Sequence, residues 1–116
     1  MPQLTDFMGN DLKPGALYTY TYSYKSGGQI QYLLMFKEHV KARATFRELA
    51  SHFNNNPLSI KYRKDNNCYL LSRILIKVIP EMLTPQLNVA ITDWFRDYNR
   101  DNPSEVIDNE WAKYNI

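Results

Sequence analysis

The chain has 116 residues, of which 44% are hydrophobic and 22% are charged. This length and composition exclude a wholly disordered chain and predict one globular domain that can bury a core. The net charge of +2 is too small to require a nucleic-acid partner, although a local basic patch can be hidden in a nearly neutral total. Cys68 has no second cysteine to pair with, and no apolar run reaches the ~18 residues that span a bilayer, so we expect a soluble intracellular protein.

The amino-terminal stretch has apolar residues at helical spacing, namely Leu4, Phe7, Met8 and Leu12. This spacing predicts a short helix over residues 5–12. Pro14 disfavours helix in the residue before it, and Gly15 permits a turn, so the helix is expected to end there.

Residues 16–25 alternate strictly between two kinds of side chain, which indicates a β-strand. Gly27 and Gly28 follow and supply the conformations that a hairpin turn needs. A second strand over residues 29–37 is predicted to return beside the first, and its apolar end is typical of a strand covered on both faces. One face of the first strand carries four tyrosines, which we call the tyrosine ladder: Tyr18, Tyr20, Tyr22 and Tyr24.

The middle of the chain predicts a helix followed by a second hairpin. Thr45 and Glu48 have the spacing of a capping box, so we expect a helix over residues 46–53. Alternation resumes after that helix and is interrupted by a polar stretch with turn composition. The predicted elements there are a strand over 58–63, a turn over 64–67 and a strand over 68–72.

The last part of the chain changes to a helical period. Apolar residues recur at helical spacing from residue 71 onward, while Pro80 interrupts the pattern and Thr84-Pro85 marks a new helix start. We therefore predict three helices, over residues 71–83, 85–98 and 105–114. The complete order is β-β-α-β-β-α-α-α, an α+β fold in which two antiparallel hairpins form one sheet covered by helices.

Two surfaces are candidates for recognition. The tyrosine ladder either packs beneath the helices as core or lies on an open sheet face, where its rings can stack on bases. The basic residues of the second hairpin either contact phosphates or blunt an ordinary sheet edge. The predicted nucleic-acid contacts are Lys61, Arg63, Lys64, Tyr18, Tyr20, Tyr22, Tyr24, Gln29, Gln31 and Lys37.

Sequence motifs that carry catalysis or hold a metal are missing from the chain. It has no phosphate-binding loop, no zinc-protease motif and no nucleophile elbow. Neither His39 nor His52 has a partner at a spacing that indicates a general base. The sequence therefore argues against a stand-alone enzyme and predicts no metal and no cofactor.

Several segments together resemble the LAGLIDADG homing endonucleases. Residues 78–87, Val-Ile-Pro-Glu-Met-Leu-Thr-Pro-Gln-Leu, are similar to that family's proline-interrupted apolar segment, and Gly9 and Gly15 match the two glycines of its name-giving motif. The family's catalytic acid precedes the second glycine, where this chain has Pro14. The resemblance therefore implies a saddle-shaped sheet that binds a nucleic-acid duplex without cutting it, because the acid that holds the divalent cation is replaced. It also implies pairing with a second copy of the chain.

Three functional hypotheses are open at this point. The first is a non-catalytic module that binds DNA or structured RNA within a larger assembly. The second is a small protein-binding inhibitor or adaptor of the kind that phages use against host machinery, because tyrosine, asparagine and tryptophan suit an adaptable protein interface. The third is a metal-dependent endonuclease that uses Asp6 or Asp11.

Overall fold

The computed structural model describes residues 4–40, 43–54, 56–60, 65–68, 75–105 and 110–111. Within them the chain has an α+β fold, in which antiparallel strands form one sheet and an α-helix packs on it. The spatial order of the strands is β4-β3-β2-β1-β5. The elements are β1 (Leu17–Ser23), β2 (Gln29–Val40), β3 (Arg43–Ala50), β4 (Asp65–Cys68), β5 (Leu75–Val78) and α1 (Pro85–Asp101).

The first predicted hairpin is confirmed, and β1 pairs with β2 in an uninterrupted register. In the turn, the Tyr24 N–H donates to the Gly28 carbonyl at 2.7 Å, and the Gly27 N–H donates to the Tyr24 carbonyl at 3.1 Å. Gly27 has a φ of +99°, a backbone conformation that a residue with a side chain rarely adopts. The glycine therefore fixes the turn and, with it, the pairing of the two strands.

The sheet is covered on both faces where β1 begins. One face carries α1, and the other is covered by the amino-terminal segment, residues 4–16. Neighbouring residues of a strand point to opposite faces, so the apolar run in β2 fills both cores, as predicted. The helix-side core contains Leu17, Leu33, Met35, Leu49, Ala50, Phe53, Val78, Leu87, Ile91, Trp94, Phe95, Tyr98 and Trp111. The core on the other side contains Leu12, Ala16, Tyr18, Leu34, Phe36, Ala44, Phe46 and Leu75.

The amino-terminal segment contains a turn where a helix over residues 5–12 was predicted, and that prediction is wrong. The carboxylate of Asp6 organises the turn, because its Oδ1 accepts the backbone N–H groups of Met8 and Asn10, each at 2.9 Å. An aspartate that satisfies nearby backbone N–H groups competes with helix formation. The apolar spacing in this segment therefore reflects packing on the sheet, not a helical face.

Residues 46–53 were predicted as a helix, and this prediction is also wrong, because most of them belong to β3. Phe46 and Leu49 are fully buried in opposite cores. A strand buried on both faces loses its alternating pattern, so its apolar residues can match helical spacing by chance. Thr45 and Glu48 pair with residues of β2 and do not form a capping box.

The predicted second hairpin differs from the observed structure. Residues Pro57–Ser59 form a 3₁₀ turn, although a strand was expected from residue 58. Most of the predicted turn over residues 64–67 lies in β4, which pairs with β3. The remaining parts of that hairpin, residues 61–64 and 69–72, lie outside the described residues.

β5 lies within the helix predicted over residues 71–83, so that prediction is wrong as well. Leu75 and Val78 are buried in opposite cores, and their spacing of three residues imitates a helical period. The chain then makes a 3₁₀ turn at Pro80–Met82. The last predicted helix, over residues 105–114, falls largely outside the described residues.

The helix predicted over residues 85–98 is confirmed as part of α1. Its start is capped by Thr84, whose Oγ1 accepts the N–H of Leu87 at 3.2 Å, and Pro85 occupies the first turn. No helix among the described residues combines the length and the apolar character that crossing a membrane requires.

A buried polar network ties α1 to the carboxyl-terminal part of the chain. Asn88 donates from Nδ2 to the Pro80 carbonyl at 2.9 Å and accepts at Oδ1 from the Trp111 indole N–H at 2.8 Å. The Thr92 hydroxyl donates to the Trp111 carbonyl at 3.0 Å. Because the Trp111 side chain is fully buried, these bonds satisfy polar groups that water cannot reach.

Candidate interaction site at the hairpin tip

The tyrosine ladder runs from a buried end to an exposed end. Tyr18 is fully buried and Tyr20 is half-buried, whereas Tyr22 and Tyr24 are 46% and 43% exposed. The gradient arises because the amino-terminal segment covers only the beginning of β1. The ladder is therefore partly core and partly surface, and it lies on the sheet face opposite α1.

Tyr18 has a structural role beneath the amino-terminal segment. Its hydroxyl oxygen accepts the backbone N–H of Lys13 at 3.1 Å. Burial raises the pKa of the Tyr18 phenol above its usual 10.0, and the negative charges of Asp6 and Glu110 raise it further, while the bond from Lys13 opposes the shift. The side chain of Tyr18 is thus fully buried beneath this segment, and its predicted contact with nucleic acid stays a prediction.

Three rings of the ladder and one ring of β2 form two contacting pairs, which we call the tip tyrosines: Tyr20, Tyr22, Tyr24 and Tyr32. Tyr20 stacks on Tyr32 with ring centroids 5.7 Å apart, and Tyr22 meets Tyr24 edge to face at 5.3 Å. Partial burial raises the pKa of Tyr32, and Tyr24, Glu48 and Tyr22 add to the rise. The rings support one another in a fixed arrangement, and two of them remain open to solvent.

The opposite face of the same hairpin carries a polar groove. Gln29 and Gln31 are exposed and pair with Ser23 and Thr21, so they lie on the face away from the tip tyrosines. The structure therefore separates the two glutamines from the tyrosines with which they were predicted to act. A cavity of about 360 Å³ lies beside them, and it is lined by Thr21, Gln29, Ile30, Gln31, His52, Phe53 and Asn54.

The sequence did not indicate this groove. Residues 52–54 were placed at the end of a helix, whereas the structure brings them beside β2, where the Phe53 N–H donates to the Gln31 carbonyl at 2.8 Å. The pairing depends on β3 being a strand, and no local pattern in the sequence predicted that. Only the polar composition of the stretch was visible beforehand.

Several described cations are already engaged by acids or rings. Lys77 pairs with Glu110 at 3.2 Å, and the arginines of α1 pair with aspartates of the same helix. Arg47 is buried with its guanidinium 5.1 Å from the centre of the Tyr98 ring. These contacts engage Lys77, Arg47 and the two arginines of α1 at positions outside the hairpin tip.

Of the lysines and arginines predicted to contact phosphate, only Lys37 lies within the described residues. Lys61, Arg63 and Lys64 lie outside the described residues. Lys37 is half-buried in β2, and Lys25 is exposed in the hairpin turn. Of the described cations, Lys25 is the one whose position in the chain places it among the tip tyrosines.

The described residues contain no group of three or more histidine, cysteine or acidic side chains that could hold a metal ion. Asp6, one of the two acids considered for a nuclease, is buried and accepts backbone N–H groups. Asp11 is exposed. Searches of protein-family models, of curated proteins and of solved structures found no match to this chain.

Proposed function

We propose that this protein is a binding module that recognises a protein partner with the tip of its first hairpin. The observation that carries the proposal is the pair of exposed rings, Tyr22 and Tyr24, on a tip whose residues 21–29 are exposed without exception. Tyrosine supplies a large contact area at a small cost in side-chain entropy, while serine and glycine supply adaptable backbone. The tip has this composition, with four tyrosines, two glycines and two serines between residues 20 and 32.

The charge at the tip favours a protein over a nucleic acid. Lys25 is the single ionised side chain between residues 20 and 32. Binding to nucleic acid depends on several cations that neutralise phosphates, whereas the centre of a protein interface is depleted in charge and enriched in aromatic rings. A nearly neutral cluster of tyrosines therefore fits the second kind of partner better. On this proposal the protein acts as an adaptor or inhibitor and has no catalytic role.

Binding to DNA or structured RNA is the second candidate. The exposed rings of Tyr22 and Tyr24 could stack on bases beside Lys25. Further cations would come from Lys61, Arg63 and Lys64, as the sequence predicts. The LAGLIDADG-like resemblance and the homodimer that it implies belong to this candidate, and both remain predictions.

The test is an affinity capture from lysate of the cells that naturally contain the protein, with and without nuclease treatment. The wild-type chain is compared with the double variant Tyr22→Ser/Tyr24→Ser, and Val89→Ser is the control, because Val89 is equally exposed on α1, at 51%. We expect a protein that is retained after nuclease treatment, lost with the double variant and kept with the control.

Two results would contradict the proposal. Equal retention by the wild type and the tyrosine double variant would remove the tip from the interface. Retention that disappears on nuclease treatment would transfer support to the nucleic-acid candidate. Both variants change exposed side chains, so their melting temperatures should match that of the wild type and exclude unfolding as the cause.

A further inference from the structure

The rings of the tip tyrosines are held in place by their neighbours. Tyr24 follows β1, and its ring lies over the backbone of Gly28, where an added Cβ would be 3.4 Å from Cδ2 of Tyr24. The same ring meets Tyr22 edge to face, and Tyr20 stacks on Tyr32. Rings that are already positioned lose little freedom when a ligand binds, so the pairs can act as preformed contacts.

Three hydroxyl groups of the tip are available to a ligand. The hydroxyls of Tyr22, Tyr24 and Tyr32 make no hydrogen bond to any residue that the structure describes. Burial raises the pKa of Tyr32 most, and the phenols of Tyr24 and Tyr22 raise it further because they lie within electrostatic reach. The tip therefore combines apolar ring surface with a group of neighbouring hydrogen-bond donors.

The position of these groups on a sheet face restricts the form of peptide that can use them. Main-chain hydrogen bonds of a sheet lie in its plane, so its face presents side chains only. A strand adds to a sheet at an edge, and a helix has already bonded its carbonyls internally. A polyproline II segment has no internal hydrogen bonds, and its prolines have no N–H, so its carbonyls are acceptors that phenol hydroxyls can satisfy.

We propose that the tip tyrosines bind a proline-rich segment in the polyproline II conformation, with proline rings packed on the phenols and carbonyls bonded to the hydroxyls. The proposal rests on the proposed function, because the protein partner supplies the segment. Aromatic side chains are what such segments bind, and their stiffness limits the entropy lost on binding. A run of prolines carries no charge, which suits a tip where Lys25 is the single ionised side chain between residues 20 and 32.

The experiment titrates the full chain with acetylated and amidated decaproline, an uncharged peptide that forms polyproline II. The ring and amide signals of isotope-labelled protein are followed by NMR. We expect saturable shifts at Tyr22, Tyr24 and Tyr32. A glycine-serine peptide of equal length is also uncharged but flexible, so it should bind at least about tenfold more weakly.

Two substitutions at one position separate the ring from the hydroxyl. Tyr22→Phe keeps the ring and removes one hydrogen bond, so decaproline should bind about fivefold more weakly. Tyr22→Ser removes the ring as well, and the loss should exceed about tenfold. The control is Val89→Ser, which changes a side chain of similar exposure on α1 and should leave the affinity unchanged.

A second measurement uses only the wild-type protein and so does not depend on the folding of a variant. Decaproline made from D-proline has the same composition but winds with the opposite hand, so it should not shift the tip signals. The L-peptide in excess should also release the partner that the chain captures from lysate of the cells that naturally contain it. The D-peptide should not.

Three results would overturn the inference and leave the proposed function standing. A captured partner that depends on Tyr22 and Tyr24 but resists excess decaproline would show that the tip recognises another kind of protein surface. Equal shifts from the D-peptide or the glycine-serine peptide would show that the rings bind without regard to conformation. Decaproline shifts confined to residues outside the tip would place its site elsewhere. Capture that does not depend on the tyrosines would instead overturn the proposed function, and the inference with it.

Discussion

At the scale of single residues, several buried polar atoms among the described residues are satisfied by hydrogen bonds within the protein. The Tyr18 hydroxyl is one of them, because its side chain is fully buried and it accepts the backbone N–H of Lys13. Sequence reasoning found Tyr18 through its alternation but could not assign its function. The amino-terminal segment covers its ring, and the turn in that segment depends on the bonds that the Asp6 carboxylate accepts from backbone N–H groups.

The first prediction concerns the substitution Tyr18→Phe. It leaves the Lys13 N–H without its partner, so we expect the free energy of unfolding to fall by about 1–2 kcal/mol. Urea denaturation measures this change. The control is Tyr22→Phe, where the ring is exposed and the change should stay within about 0.5 kcal/mol. Equal effects of the two substitutions would contradict the assigned role of the Tyr18 hydroxyl.

The second prediction concerns alkaline pH. The pKa of Tyr18 is raised in the folded state, so its neutral form stabilises the fold fully below pH 10.0, the usual phenol value, and this contribution is lost as pH rises through the higher folded value. The free energy of unfolding of the wild type should therefore begin to fall above pH 10.0. The fall should be smaller in Tyr18→Phe, although Tyr32 still contributes through its own raised pKa. An identical alkaline decline in both proteins would rule out the Tyr18 phenol as a source.

At the scale of elements, α1 was predictable because its start is encoded locally. Thr84 caps the first turn and Pro85 follows it, and neither feature depends on distant parts of the chain. β3 and β5 were misread as helices for the opposite reason. Both strands place buried residues in both cores, and such placement removes the alternation by which a strand is recognised.

The third prediction tests the local signal at the start of α1. Thr84→Ala removes the oxygen that accepts the Leu87 N–H, so we expect the free energy of unfolding to fall by about 1 kcal/mol. Thr84→Ser keeps that oxygen and should restore most of the loss. Chemical denaturation followed by helical circular dichroism compares the three proteins. A serine variant as unstable as the alanine variant would show that the methyl group, and not the cap, is what matters.

At the scale of the whole molecule, one sheet separates two cores. Leu33 and Leu34 are neighbours in β2, yet the first belongs to the helix-side core and the second to the core beneath the amino-terminal segment. The predicted α+β class and the first hairpin were correct because they follow from turn chemistry and alternation. The apolar end of β2 predicted cover on both faces, but the covering element on the second face, a segment without a helix, was not predicted, since helices were the only covering elements that the sequence pattern indicated.

The fourth prediction is that both cores unfold together. Leu33→Ala and Leu34→Ala should each lower the free energy of unfolding by about 2–5 kcal/mol, since both side chains are almost wholly buried. Both substitutions should shift the unfolding midpoint seen by tryptophan fluorescence, although Trp94 and Trp111 lie only in the helix-side core. A fluorescence transition that Leu34→Ala leaves in place would indicate two separate units of folding.

The candidate site was only half predictable at this scale. Alternation in the sequence found the tyrosine ladder, and the structure divides it between the two readings left open, because Tyr18 is core while Tyr22 and Tyr24 are exposed. The groove beside Gln29 was not predicted from the sequence. It requires β3 to end opposite Leu33, short of the first residue of β2, and residues 52–54 to lie beside Gln31. Contacts between segments that are distant in sequence produce no periodic pattern from which they could be predicted.

The position of the hairpin tip, past the limits of both cores, has a consequence for how the protein can change over evolutionary time. Apart from Gly27, whose φ of +99° the turn requires, residues 21–29 can be exchanged without opening a cavity, so recognition is the main constraint on mutations there. If the binding partner changes its sequence, substitutions in this hairpin tip can follow quickly while the rest of the fold stays constant. Orthologues should accordingly diverge most between the two ends of that turn, and a comparison of their sequences would reveal it.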